Sequence, residues 1–134
     1  MKPLDYAKAL GVASVVLAID VAIAIGVVYL WSILIDPGHP SDYYQTAGVP
    51  IARLSTRIFG TALLFTAVWL FARRNRARNA YLFALAVGIF YAVLDAASTG
   101  FVGVFNLSFG FTIGLKLLGA FAGAALAVRR ASLA

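Results

Sequence analysis

The chain has 134 residues, of which 63% are hydrophobic and only 12% charged, with a net charge of +6. Soluble domains carry roughly 25% charged residues, so a water-exposed globule is excluded and the main solvent must be lipid. Cysteine is absent and histidine occurs once, at His39, which rules out disulfides, thiolate chemistry, cysteine-held metal sites and paired-histidine haem ligation within the chain.

The first apolar segment runs from about Ala9 to Ile35 and is interrupted by Asp20. Lys2 and Lys8 resemble the start of a signal peptide. However, the apolar run continues past Trp31, well beyond the roughly 7–15 residues of a signal core, so a retained span is expected. Asp36-Pro37-Gly38-His39-Pro40 then stops the helix. Ser41 is placed to cap a short interfacial helix, with Tyr43 and Tyr44 at headgroup depth. Asp36, His39 and Asp42 in this loop read as a solvated turn rather than a metal site.

The second span runs from about Pro50, suited to a first helical turn, to Ala72. Arg73-Arg74-Asn75-Arg76-Ala77-Arg78-Asn79 is a short polar turn. The third span runs from Ala80 to about Phe105 and contains Asp95. Gly100, Gly103 and Asn106 mark a tight connection, with Asn106 or Ser108 as the cap of the next helix. The fourth span runs from Leu107 to Val128 and contains Lys116. Each segment exceeds the ~20 residues that a helix needs to cross the hydrocarbon. The expected fold is an all-α integral membrane protein, one four-helix transmembrane domain in up-down-up-down order.

The basic residues sit at one set of ends. Lys2, Lys8, Arg73, Arg74, Arg76, Arg78, Arg129 and Arg130 flank the spans, and the first and third loops carry no Lys or Arg. The positive-inside rule then places both termini in the cytoplasm, with a bacterial inner membrane as the expected location. Arg73, Arg74, Arg76 and Arg78 are candidates for binding anionic headgroups. The charge lies at span ends, without a basic stripe on a soluble face, so nucleic acid is not an expected partner.

Four ionisable residues lie well inside the spans: Asp20, Arg57, Asp95 and Lys116. Such charges are costly unless paired or hydrated. Arg53, one turn from Arg57, can snorkel outward. At a rise of ~1.5 Å per residue, Asp20 lies about 18 Å from Lys8 and Lys116 about 20 Å from Arg129; Arg57 lies about 24 Å from Arg73 and Asp95 about 26 Å from Arg78. Each of the two levels holds one acid and one base. The expectation is an Asp20–Lys116 pair between neighbouring helices one and four, and an Arg57–Asp95 pair between helices two and three. Leu17-Ala18-Ile19-Asp20 against Ala92-Val93-Leu94-Asp95 faintly suggests a duplicated hairpin.

Small residues recur on two helices. Ser14, Ala18, Ala22 and Gly26 form a stripe on the first, and Gly110, Gly114, Gly119 and Gly123 form one on the fourth. They are expected to serve close packing, within the bundle or against a partner.

In size, span number and an acid within the first span, Asp20, the chain resembles the small multidrug-resistance transporters; Arg57, Asp95 and Lys116 have no place in that pattern. Its layout is similar to the DoxX-like group. No residue role is taken from either resemblance. No nucleophile arrangement or phosphate loop is present, and no cofactor is expected. The leading expectation is a non-enzymatic accessory or assembly subunit that packs against another membrane protein or itself, in contact with membrane lipids. The alternatives are a small ion- or proton-coupled transporter or channel using the intramembrane charges, and a binder of a hydrophobic ligand such as a lipid or quinone between helices.

Overall fold

The computed structural model describes residues 1–74, 79–100 and 106–132. These form four helices: α1 (Pro3–Leu34), α2 (Ser41–Arg74), α3 (Ala80–Ser98) and α4 (Leu107–Ala131). All four are long and apolar enough to cross a membrane.

Local chemistry sets most boundaries. Asp5 accepts the backbone N–H of Lys2 at 3.0 Å and ties down the first turn of α1. Asn79 caps α3 by accepting from Tyr81 and Leu82 N–H, both at 3.1 Å. Asn106 caps α4 by accepting from Ser108 N–H at 3.0 Å. Gly100, at φ +64°, follows the end of α3 and donates to the Ala97 carbonyl at 3.0 Å, a left-handed stop that glycine adopts without penalty. The third helix therefore ends at Ser98, short of the expected limit, and residues 101–105 lie outside the described residues.

The second helix departs most from expectation. It is continuous from Ser41, so Pro50 lies inside it rather than in its first turn. The expected interfacial helix is simply the start of α2. Packing explains why the proline is tolerated. Gly48, two residues earlier, meets Val28 of α1 so closely that a Cβ there would fall 2.7 Å from Val28 Cγ1. The contact holds α2 against α1 half a turn before the missing N–H, and spanning helices tolerate proline where a neighbouring helix supports them.

The helices do not pack in the expected neighbour order. α2 lies chiefly against α4 and α1, and α3 lies against α1 and α4; α1 and α4 do not touch along their backbones. Around the bundle the order is α1, α2, α4, α3. Helix one is thus diagonal to helix four, and helix two is nearly diagonal to helix three. The cause is the α2–α4 seam. A Cβ on Gly119 would meet the Thr61 carbonyl oxygen at 2.8 Å, and one on Gly123 would strike the Phe65 carbonyl. Only glycine lets these two helices approach so closely.

The two ends of the interior differ. Toward the end bearing Arg73, Arg74, Arg129 and Arg130, called here the arginine end, the core is apolar, with Val12, Val16, Leu64, Val68, Phe83 and Ala124 buried. Toward the opposite end, bearing the α1–α2 loop, Ser55 and Thr112 are buried in the interior. α1 and α2 also run past the other helices at this loop end. Leu34 lies about 21 Å beyond the level of Asp20, whereas Ser98 lies about 10 Å beyond Tyr91 and Leu107 about 14 Å beyond Lys116.

Candidate functional site

Each helix contributes one residue to a central layer. Asp20 comes from α1, Gly60 from α2, Tyr91 from α3 and Lys116 from α4. Asp20, Tyr91 and Lys116 are 1%, 1% and 2% exposed, so this layer is sealed. The expected Asp20–Lys116 ion pair is present, with Nζ 3.0 Å from Oδ2. It spans the diagonal of the bundle rather than a neighbouring seam.

Two unexpected residues make that diagonal possible. Tyr91 donates its hydroxyl to Asp20 Oδ2 at 2.6 Å and accepts from Lys116 Nζ at 2.6 Å. It closes a ring of acid, phenol and ammonium. Gly60 supplies the space: a Cβ there would lie 2.6 Å from both Asp20 Oδ2 and Lys116 Cε. Asp20 Oδ1 is buried without a hydrogen-bond partner among the described residues, so one oxygen carries both bonds.

The expected Arg57–Asp95 pair does not form. Arg57 turns to α4, where Nε donates to Thr112 Oγ1 at 3.0 Å and Nη2 donates to Ser108 Oγ at 2.6 Å. Its guanidinium also stands 5.5 Å from the centroid of the Phe111 ring. The helix order explains the failure. α4 is the long neighbour of α2, and its hydroxyls are nearer than the diagonal α3. Asp95 is half-buried on α3, one turn beyond Tyr91.

The glycine stripe on α4 is divided. Gly119 and Gly123 face α2, whereas Cβ atoms on Gly110 or Gly114 would meet nothing within 4 Å. Ser14, Ala18 and Ala22 on α1 are exposed, and a Cβ on half-buried Gly26 would meet nothing within 4 Å, so that stripe does not pack closely within the bundle. Both outcomes follow from burying Asp20 and Lys116. Ala18 and Ala22 lie about 160° around α1 from Asp20, and Gly114 lies about 160° from Lys116.

At the arginine end, Trp69 lies between Arg73 and Arg130, with both guanidinium carbons 5.6 Å from its ring centroid. Arg74 is exposed in the last turn of α2. Arg76 and Arg78 lie outside the described residues. In the α1–α2 loop, Asp36 is held by His39 Nε2 at 3.1 Å and accepts from the Tyr43 hydroxyl at 2.7 Å, and its carbonyl accepts from Tyr44 at 2.6 Å. Gly38, at φ +93°, makes the turn possible.

Two apolar grooves run between α1 and α2 on the outside of the bundle. One, of about 560 Å³, lies at the loop end among Val21, Ile25, Val28, Val49 and Ala52, with Ser32, Tyr44 and Gln45 at its polar margin. The other, of about 440 Å³, lies toward the arginine end between Val15, Ile19, Leu63 and Phe71. Compared with known proteins, the chain matches no family model, no curated protein and no solved structure.

Proposed function

We propose that the protein is a non-enzymatic integral membrane subunit that packs against another membrane protein or a second copy of itself. The observation that carries this reading is the two-helix arm at the loop end. Ile33, Leu34 and Ile35, at the end of α1 that outruns α3 and α4, are 49%, 73% and 75% exposed, and Tyr29 and Leu30 just before them are 63% and 57% exposed. Its tip reaches past the level where the shorter helices end, toward headgroups and water. A large apolar surface in that position favours a protein neighbour.

The central layer supports the same reading. Its acid and base are closed on each other and sealed, an arrangement suited to fixing helix register. Fastening is favoured over passage. In this proposal the arginine end faces the cytoplasm of a bacterial inner membrane, by the positive-inside rule.

The test is site-specific photocrosslinking in native membranes. A benzoyl-phenylalanine at Ile35 is expected to give a discrete protein adduct, and the same probe at lipid-facing Leu118 is not. Adducts with lipid alone at both positions would sink the reading.

The groove of about 560 Å³ favours a second reading, a binder of a hydrophobic ligand held between α1 and α2. It is large enough for part of a lipid or quinone. Ala52→Phe would place a ring in the groove that Ala52 lines, and mass spectrometry of the extracted ligand would then show it lost.

A further inference from the structure

Of the two basic residues deepest in the spans, Lys116 has an acidic partner and Arg57 has none among the described residues. The chain has five acidic side chains, all aspartates. Asp20 is taken by Lys116, and Asp36 bonds His39 and Tyr43. Asp5 lies in the first turn of α1 at the arginine end, and Asp42 lies in the first turn of α2, about 16 Å along the helix from Arg53. Asp95 forms no ion pair among the described residues. Residues 75–78, 101–105 and 133–134, outside the described set, contain no Asp or Glu.

Arg57 nevertheless sits half-buried inside a span, with two hydroxyls and an aromatic ring as its side-chain partners among the described residues. A guanidinium at that depth is costly without a counter-charge. Its surroundings add to the positive potential rather than relieve it. Ser108 is the second residue of α4, where the helix presents its positive dipole end. Arg53, one turn further toward the loop end on α2, is exposed and has no acidic partner among the described residues.

The donor geometry is also incomplete. Thr112 accepts from Arg57 Nε and donates to the Ser108 carbonyl at 2.8 Å, so its hydroxyl is used. Ser108 Oγ accepts from Arg57 Nη2 and keeps its own hydrogen to donate. Arg57 Nη1 has no hydrogen-bond acceptor among the described residues. Arg53, four residues before Arg57 on α2, shares the same helix face. Phe111, against which Arg57 rests, is 58% exposed, so the site opens toward the bilayer beside the start of α4. Guanidinium forks with a neighbouring hydroxyl match the tetrahedral oxygens of phosphate.

We propose that Arg57, Arg53 and the Ser108 hydroxyl form a binding site for a phosphate or phosphodiester anion at the loop end of the α2–α4 seam. The site does not depend on the orientation of the chain, because both faces of a bilayer carry phosphate. Nor does it depend on the subunit reading above.

The experiment is a titration of delipidated protein in neutral detergent, read by native mass spectrometry. The probes are a phosphatidylglycerol and, as its phosphate-free counterpart, a diacylglycerol. One phosphatidylglycerol is expected to bind well ahead of further copies. Arg57→Gln is expected to weaken that first binding about tenfold, or about 1.4 kcal/mol. Arg53→Gln alters an exposed residue, keeps the measurement available if Arg57→Gln fails to fold, and is expected to weaken binding several-fold. Dimethyl phosphate supplies the second arm: a rise in melting temperature that disappears with Arg53→Gln identifies a free anion as an acceptable ligand, and lipid binding alone identifies a headgroup. The proposal is overturned if the first lipid is unaffected by either substitution, if diacylglycerol binds equally well, or if Arg129→Gln at the opposite end removes the tightest site instead.

Discussion

Gly60 is the space into which the Asp20 carboxylate fits, since a Cβ at Gly60 would lie 2.6 Å from Asp20 Oδ2. The glycine is therefore defined by a charge on another helix rather than by its own backbone. Gly60→Ala is expected to force the ion pair aside and to cost about 1–3 kcal/mol, as overpacking does in close-packed interiors. Denaturant titration in detergent micelles measures it. An unchanged midpoint would show that the centre can shift without loss.

The three polar groups act as a unit. Removing one charge strands the other in a sealed site, so Asp20→Asn or Lys116→Met is expected to cost about 3–5 kcal/mol. The double variant Asp20→Leu with Lys116→Met removes both charges and is expected to recover much of that loss. Tyr91→Phe deletes two hydrogen bonds to charged groups, for about 1.5–3 kcal/mol. A double-mutant cycle reads the coupling, and additive losses would contradict the ring geometry.

The divided glycine stripe gives a position-specific expectation. Gly119→Leu and Gly123→Leu place side chains against the Thr61 and Phe65 carbonyls and are expected to separate α2 from α4 and prevent stable folding. Gly110→Leu and Gly114→Leu enter open space and are expected to leave the isolated protein's melting temperature nearly unchanged. The same two substitutions abolish any association that uses the outer face of α4, which size-exclusion chromatography or crosslinking can read.

Much of this architecture was legible from spacing alone. Helix existence followed from apolar length, and the Asp20–Lys116 pair followed from depth. The same depth arithmetic places Gly60 about 20 Å from Arg73 and Tyr91 about 20 Å from Arg78, level with that pair. Neither stood out because neither is charged. The inward direction of Asp20 and Lys116 also determines which small residues face lipid. The order of helices around the bundle was not legible. It is decided by how closely α2 can approach α4, a property of backbone contact at Gly119 and Gly123 rather than of hydrophobic period. That order in turn sends Arg57 to Ser108 and Thr112 instead of Asp95.

The absence of cysteine makes orientation directly measurable. With the arginine end in the cytoplasm, Ser41→Cys is expected to react with a membrane-impermeant maleimide added to intact cells, and Ser132→Cys only after lysis. The reverse pattern would invert the proposed topology.

The diagonal placement of Lys116 has a consequence for biogenesis. Spans emerge from the ribosome in order, and Asp20 emerges in the first of them. Its cation arrives only with the last, and α4 must then settle against α2 and α3 at once. A chain cut off before α4 therefore lacks the cation that holds Asp20, and the central layer cannot close.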